Sequence, residues 1–278
     1  MLIITADDLG FNHQVNLAII RAFERGFCSD CSIMPNMLGF EEACELVRMH
    51  GLANHVGLHL VLTEGTPVTE PIKDLRRFCD RDGCFRLSRK QRVVRLSSSE
   101  KKALEREIEG QIAECRKRGI TVAHLDSHSH AHEEWAIVPL VIEAVRKAGI
   151  PRIRLCRTPH WGTSLVKWLY RHIVNLRIRA AGRAGTDHFG SPDDYLRFCR
   201  EHGASKEMDT PWEIMVHPVL DGEGRLFDGW LHRPLEELME ALWRCRAEVP
   251  GMSSRARRTV EPQAETAGQL AASSSRKA

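Results

Sequence analysis

Several things this sequence lacks narrow its meaning before any motif is read. No apolar run among its 278 residues reaches the roughly 18 needed to cross a bilayer as a helix. No basic region precedes the short apolar start, and Asp7 and Asp8 interrupt it, so a signal peptide is not expected and a cytoplasmic home follows by default. The single CxxC pair, Cys28 and Cys31, has no second pair to complete a zinc site. The nine cysteines form an odd, scattered set, for which reduced and mostly buried thiols are expected. No internal repeat is visible.

The chain also lacks a basic face. Its 40 Lys and Arg outnumber its 37 Asp and Glu, but residues 251–278 hold five of the former and two of the latter. The body therefore carries 35 of each sign, which is not the electrostatic footprint of a nucleic-acid binder. The tail itself, rich in Ser, Ala and Arg, reads as disordered. With 42% apolar and 28% charged residues, the remainder has the composition of a globular protein with a sizeable core.

Helical periodicity runs through residues 15–23, closed by Gly26, and through 40–47. A third stretch, 104–115, opens with serines and Glu100 and closes at Gly119; a fourth covers 137–148; a last one begins at Pro234. The basic stretch 171–183 is weakly periodic and is read as a helix. Between them lie "LIITA" (2–6), "CSIMPN" (31–36), "HVGLHLVL" (55–62), "ITVAHLD" (120–126), "IPRIRLC" (150–156) and "WEIMVH" (212–217), short enough and β-rich enough to be strands. This alternation predicts parallel βα units in one sheet or barrel. Residues 65–97, rich in turn formers and charge, read as a long insertion.

Polar residues of chemical interest gather where these strands end. Asp7 and Asp8 end the first strand and His59 lies near the end of the third. His124, Asp126 and His128 end the fourth, in "HLDSHSHAH", and His217 ends the last. Arg152, Arg154 and Arg157 lie on or after the fifth. Sites in βα barrels and open α/β sheets form at the carboxyl ends of strands. A carboxylate and two imidazoles meeting there suit a divalent metal with open positions. Taken singly, each residue has a plainer reading: a turn for Asp7–Asp8, a core histidine for His59, an incidental polar loop for "HSHAH", a strand end for His217.

The stretches "TADDLGFNHQVNLAI", "SIMPNMLGFEEA", "VGLHLVLTEGTPV" and "HLDSHSHAH", with "WEIMVHP" further on, resemble the YdjC-like carbohydrate deacetylases, which include chitooligosaccharide and hopanoid-associated enzymes. The resemblance is strong over residues 1–160 and weak over 160–210, and Leu9 stands where the family more often has phenylalanine. It implies a distorted, TIM-like (β/α) barrel as a single domain over residues 1–250, followed by the 251–278 tail. It further implies hydrolysis of an N-acetyl group on an amino sugar, with Asp8, His59 and His128 as metal ligands and Asp7 as base. His217 falls where related deacetylases place a histidine acid. Magnesium is the ion the resemblance implies, while the donor set also suits zinc or another transition metal.

His124 and Asp126 are expected to orient the site from behind the ligands. Arg154 and Trp135 are candidates for support or substrate contact, and His130 and His132 are substitute ligands. Six tryptophans against two tyrosines make Trp135 and Trp161 candidates for stacking on a sugar face. The expected partners are an N-acetylated sugar and, as the one oligomer considered, a second copy of the chain; no nucleic acid and no membrane span are expected. Two other readings stand beside this one. A metal-dependent phosphoesterase would use the same His and Asp groups, with Arg152, Arg154 and Arg157 gripping phosphate. A non-catalytic sugar-binding protein would turn nothing over.

Overall fold

The structure, a computed structural model, describes residues 1–88, 93–203 and 210–247; the tail expected over 251–278 lies outside these. Six parallel strands form one sheet in the order β4-β3-β2-β1-β6-β5. They are β1 (Leu2–Leu9), β2 (Asp30–Ile33), β3 (Val56–Leu60), β4 (Leu125–Ser127), β5 (His188–Gly190) and β6 (Trp212–Val216). Every residue of β3 and β6 is buried, as expected of parallel strands covered on both faces. Helices α1 (His13–Glu24), α2 (Phe40–Met49), α3 (Ser98–Lys117), α4 (Val138–Ala148), α5 (Leu165–Ala180), α6 (Pro192–His202) and α7 (Leu235–Ala247) accompany them.

The sheet curls toward a barrel but, among the described residues, does not complete eight strands. The expected strand 150–156 is irregular: Pro151 offers no N–H, and Ile153 alone bridges to Leu125 on one side and Ala184 on the other. The same segment then reaches β5, where the Thr158 N–H donates to the Phe189 carbonyl at 3.0 Å. The TIM-like expectation thus becomes a curled half-barrel with an irregular closing segment. The expected strand 120–126 shortens to β4, because Val122 sits at φ 57° and breaks the extended run.

Local sequence explains most helix ends. Asn12 caps α1 by accepting from the Val15 N–H. Ser97 and Glu100 form a capping box on α3, as the serines and the glutamate predict. Gly149 ends α4 in the left-handed conformation. The basic stretch does form a helix, but it starts earlier, at Leu165, because Ser164 caps it. Helix α6, β5 and a three-stranded antiparallel sheet of β7 (Pro218–Leu220), β8 (Leu226–Asp228) and β9 (Arg233–Pro234) were not expected from the sequence. Strands of two or three residues are too short to show an alternation.

The insertion at 65–97 is held onto α3. Buried Glu107 accepts from the N–H groups of Val68 and Thr69 at 3.0 and 2.9 Å, and Gln111 clamps both backbone groups of Val61. Cysteines depart from expectation at one pair: Cys199 of α6 and Cys245 of α7 form a disulfide, with Cα atoms 6.3 Å apart. The other seven are free, and Cys28 and Cys31 are simply buried in the core.

Candidate active site

Both carboxylates of the Asp7–Asp8 pair reach the same end of the sheet because β1 is not regular there. Neighbours on a pleated strand point to opposite faces. The pairing of β1 with β2 slips between Ala6 and Leu9, and Asp8 takes φ 73°, a conformation that a non-glycine side chain adopts only under constraint. The bend therefore falls on Asp8 itself, inside a strand that runs on to Leu9. The two neighbours then meet different partners.

Asp8 Oδ1 lies 3.1 Å from His59 Nε2 and 2.9 Å from His128 Nδ1. Each imidazole is held from behind by another carboxylate. His59 Nδ1 is 2.8 Å from Asp126 Oδ1, its register partner across β3 and β4, and His128 Nε2 is 2.7 Å from Glu64 Oε1. A carboxylate behind a ligating histidine sets its tautomer and aims the other nitrogen. Here both remaining nitrogens aim at one carboxylate oxygen, and suitable donor atoms of Asp8, His59 and His128 lie within 4.8 Å of one another. This donor set fits a divalent cation.

Asp7 is buried and turned the other way. Arg154 donates to both of its oxygens, at 2.7 and 2.8 Å. The same guanidinium donates to Glu213 Oε1 at 2.8 Å, approaches Asp126 Oδ2 at 2.7 Å, and lies 4.9 Å from the Phe189 ring centroid. Arg154 thus fills the space between three carboxylates, so the grouping of Asp7, His59 and Asp126 already contains the protein's own cation. His217 Nε2 stands 3.9 Å from Asp7 Oδ2, and its backbone N–H is held by Asp228 Oδ2 at 2.8 Å.

The charges explain how the groups titrate. Burial would push His59 down, but Asp126, Asp8 and Asp7 around it hold it up at about 10. His128, likewise opposed by burial, is held up at about 9 by Asp8 and Glu64. Burial raises Asp8, and the two imidazoles more than offset it, so it lies well below the usual carboxylate range. Asp126 is lowered in the same way, against burial, by Arg154 and His59. Two imidazolium protons thus stand where a divalent cation's charge would be.

The other candidates divide cleanly. Burial pushes His124 down to about 3; its Nδ1 accepts from Arg152 at 3.2 Å, and its ring fills the space where a Cβ on Gly57 would lie 2.4 Å away. His132, down at about 4 through burial, is locked between Ser127 and the Arg154 carbonyl, so it is a packing residue and not a ligand. His130 sits at φ 56° and faces Glu133 and Phe189. Trp135 lies under the Arg177 guanidinium at 3.6 Å, and Trp161 under that of Arg197 at 4.7 Å, so one face of each indole is covered by the protein. Arg152 pairs with Asp30, Arg154 with three carboxylates and Arg157 with Asp194, which leaves none of the three arginines unpaired for a phosphate.

Sequence reasoning missed Glu213, Glu64, Asp228 and Trp230. Glu213 and Glu64 lie within recognisable segments, but neither ends a strand. Asp228 ends β8 of the short antiparallel sheet and Trp230 lies in the turn between β8 and β9, which no pattern announces. Trp230 is 53% exposed with its ring centroid 6.3 Å from that of His217, so it is an exposed indole beside that histidine.

The chain has relatives among known proteins. A carbohydrate deacetylase of Brevibacillus brevis is 36% identical over 150 residues, 54% of this chain and 57% of that protein. In that match the chain spans little more than half of its relative. A carbohydrate deacetylase of Halalkalibacterium halodurans is 30% identical over 218 residues, 78% of this chain and 84% of that protein. A crystal structure from Enterococcus faecalis V583, of a protein described provisionally as a cellobiose-phosphate cleavage protein, superposes with a TM-score of 0.65. It covers 89% of this chain and 95% of that one at 22% identity, and so shares the fold. The family profile described as YdjC-like protein matches residues 1–259, and the chain belongs to that family.

Proposed function

We propose that the protein is a metal-dependent hydrolase that removes the N-acetyl group from an amino sugar, within an oligosaccharide or a glycolipid. The observation that carries this is the division of two adjacent aspartates, Asp8 onto two imidazoles and Asp7 onto Arg154 and His217. The relatives named carbohydrate deacetylases support the reaction class. Asp8, His59 and His128 would hold one divalent ion. Magnesium follows from the family resemblance, whereas two imidazoles favour zinc or another transition metal. When bound, such an ion polarises the attacking water and the acetyl carbonyl.

The chain's own groups do the rest. Asp7 takes a proton from the attacking water, and Arg154 holds its carboxylate in place while it does so. As the C–N bond breaks, His217 Nε2 gives a proton to the departing nitrogen, so that acetate and a free amine leave. The Asp7 and His217 atoms stand 3.9 Å apart, close enough to act on neighbouring atoms of one reacting amide. Asp228 fixes the His217 backbone through Oδ2 and the Trp230 backbone through Oδ1 at 3.0 Å. The exposed indole offers a flat apolar face for a sugar ring.

Acetate release from N-acetylglucosamine oligosaccharides, measured on metal-depleted and metal-restored protein, tests this reading. Turnover that disappears with the ion and returns with it is expected. His217→Ala should slow amide substrates more than activated esters, whose leaving groups need no proton. Equal slowing on both removes His217 from the acid role, and release of phosphate from a model phosphoester, with no acetate from the N-acetylated sugars, overturns the reaction class.

A further inference from the structure

The two imidazoles that face Asp8 do so through different nitrogens. His59 presents Nε2 and keeps Nδ1 for Asp126, whereas His128 presents Nδ1 and turns Nε2 to Glu64 Oε1 at 2.7 Å. Position in the fold explains the difference. His59 lies within β3, so the nitrogen nearer its backbone meets the carboxylate of its neighbour on β4. His128 follows β4, where Ser129 and His130 both take positive φ and turn the chain, so its outer nitrogen meets a loop. A 180° flip of the His128 ring would put carbon atoms in front of both Asp8 and Glu64, so the two contacts together fix its orientation.

The backbone around Glu64 is itself held. Asn36 Nδ2 donates to the Glu64 carbonyl at 3.0 Å, and the Phe85 N–H donates to the Gly65 carbonyl at 2.8 Å. Gly65 takes φ 71°, and a Cβ there would lie 2.7 Å from Met37 Sδ and 2.8 Å from Asn36 Nδ2, so only glycine fits this turn. Phe85 is buried, and through it the segment 65–97 anchors the loop whose carboxylate faces His128. The two carboxylates behind the histidines differ in setting. Asp126 is fully buried and also pairs with Arg154, whereas Glu64 is 38% exposed. In each case a carboxylate that accepts one ring N–H leaves the other nitrogen as a lone-pair donor.

We propose that Glu64 is a positioning residue for the metal site: by accepting from the His128 Nε2–H it makes Nδ1 the nitrogen that His128 offers to the ion. The inference rests on the ligand set Asp8, His59 and His128 given above. It assigns opposite tautomers to the two histidines, Nδ1–H for His59 and Nε2–H for His128. Glu64 itself stays outside the ligand set, because its oxygen meets Nε2, on the side of the ring away from Asp8.

Calorimetric titration of the metal-depleted full chain with zinc tests the inference, beside proton–nitrogen correlation spectra of the histidine rings in the zinc-loaded protein. Glu64→Ala should bind zinc at the same stoichiometry but about 10–100-fold more weakly. Glu64→Gln, which keeps an oxygen able to accept from Nε2–H, should recover part of that loss. The wild-type spectra should show His128 protonated at Nε2 and His59 at Nδ1. Unchanged affinity in Glu64→Ala, or His128 protonated at Nδ1, overturns the inference. A Glu64→Gln no better than Glu64→Ala, or a Glu64→Ala that binds no zinc, overturns it too, by making the carboxylate a ligand. A wild-type chain that binds no stoichiometric zinc overturns instead the ligand set on which the inference rests.

Discussion

Two carboxylate clusters lie side by side at the end of this sheet and differ in where their positive charge comes from. Around Arg154, three buried carboxylates share a guanidinium that is always charged and cannot leave. Around Asp8, the positive charge comes from His59 and His128, which can give up their protons. The guanidinium of the first cluster is therefore part of the framework, and the second is the place where a divalent cation could replace protons. Asp126 belongs to both, with one oxygen toward each, and couples them.

Replacing Arg154 breaks the comparison most severely. Arg154→Met leaves Asp7, Asp126 and Glu213 buried without their counter-charge and should destabilise the protein by about 3–5 kcal/mol. Urea unfolding measures this, and Arg154→Lys should recover only part of it, since one ammonium cannot pair with three carboxylates in fork geometry. A fully stable Arg154→Met would show that the first cluster is not framework.

Substitutions across the boundary separate the two roles. His59→Ala or His128→Ala should abolish stoichiometric metal binding together with activity. Asp7→Asn should keep the metal but lose about 10²-fold or more in kcat. Metal analysis beside steady-state kinetics checks both, and an active Asp7→Asn would remove it as the base.

The titration of the second cluster predicts a stability profile for the metal-free protein. His59 and His128 are held above the ordinary histidine value, so their contribution is complete below about pH 6.5 and is lost as pH rises through about 9 and about 10. His124 and His132 are buried neutral, so stability falls as pH drops below about 6.5 toward about 4 and about 3. Thermal unfolding should therefore give a maximum near pH ~6.5. Metal should flatten the alkaline limb alone, because the ion takes the place of the two imidazolium protons. An unchanged alkaline limb would contradict the Asp8–His59–His128 assignment.

The smallest effect concerns substrate contact. Trp230→Ala should raise KM several-fold with little change in kcat, while Trp135→Ala should leave kinetics alone and lower Tm. The opposite result would return the stacking role to the indole under Arg177.

Much of the site was legible because its residues end the buried strands β1, β3, β4 and β6. Asp7, Asp8, His59, Asp126, His128 and His217 stand at strand ends, where parallel βα architecture gathers functional groups. The motifs that carry the family resemblance coincide with those ends. The half-barrel's irregular closure was less legible, since one bridge at Ile153 and a β5 of three residues leave no periodic trace. The tryptophans show the same limit: composition says that indoles are present, but only packing says which face is free.

The sequence by itself determined the alternating architecture, the neutral body and the set of groups able to hold a cation. These depend on local periodicity, on counting charges and on residue types at strand ends, all of which are properties of the chain read in order. Tertiary structure alone decided that Asp8 takes a left-handed conformation, that Arg154 fills one carboxylate cluster and leaves the other to the imidazoles, and that Trp230 is the indole beside His217. Each of these depends on groups far apart in the chain, Asp7 with Arg154, Asp8 with His128 and Arg177 with Trp135, whose meeting no local pattern encodes.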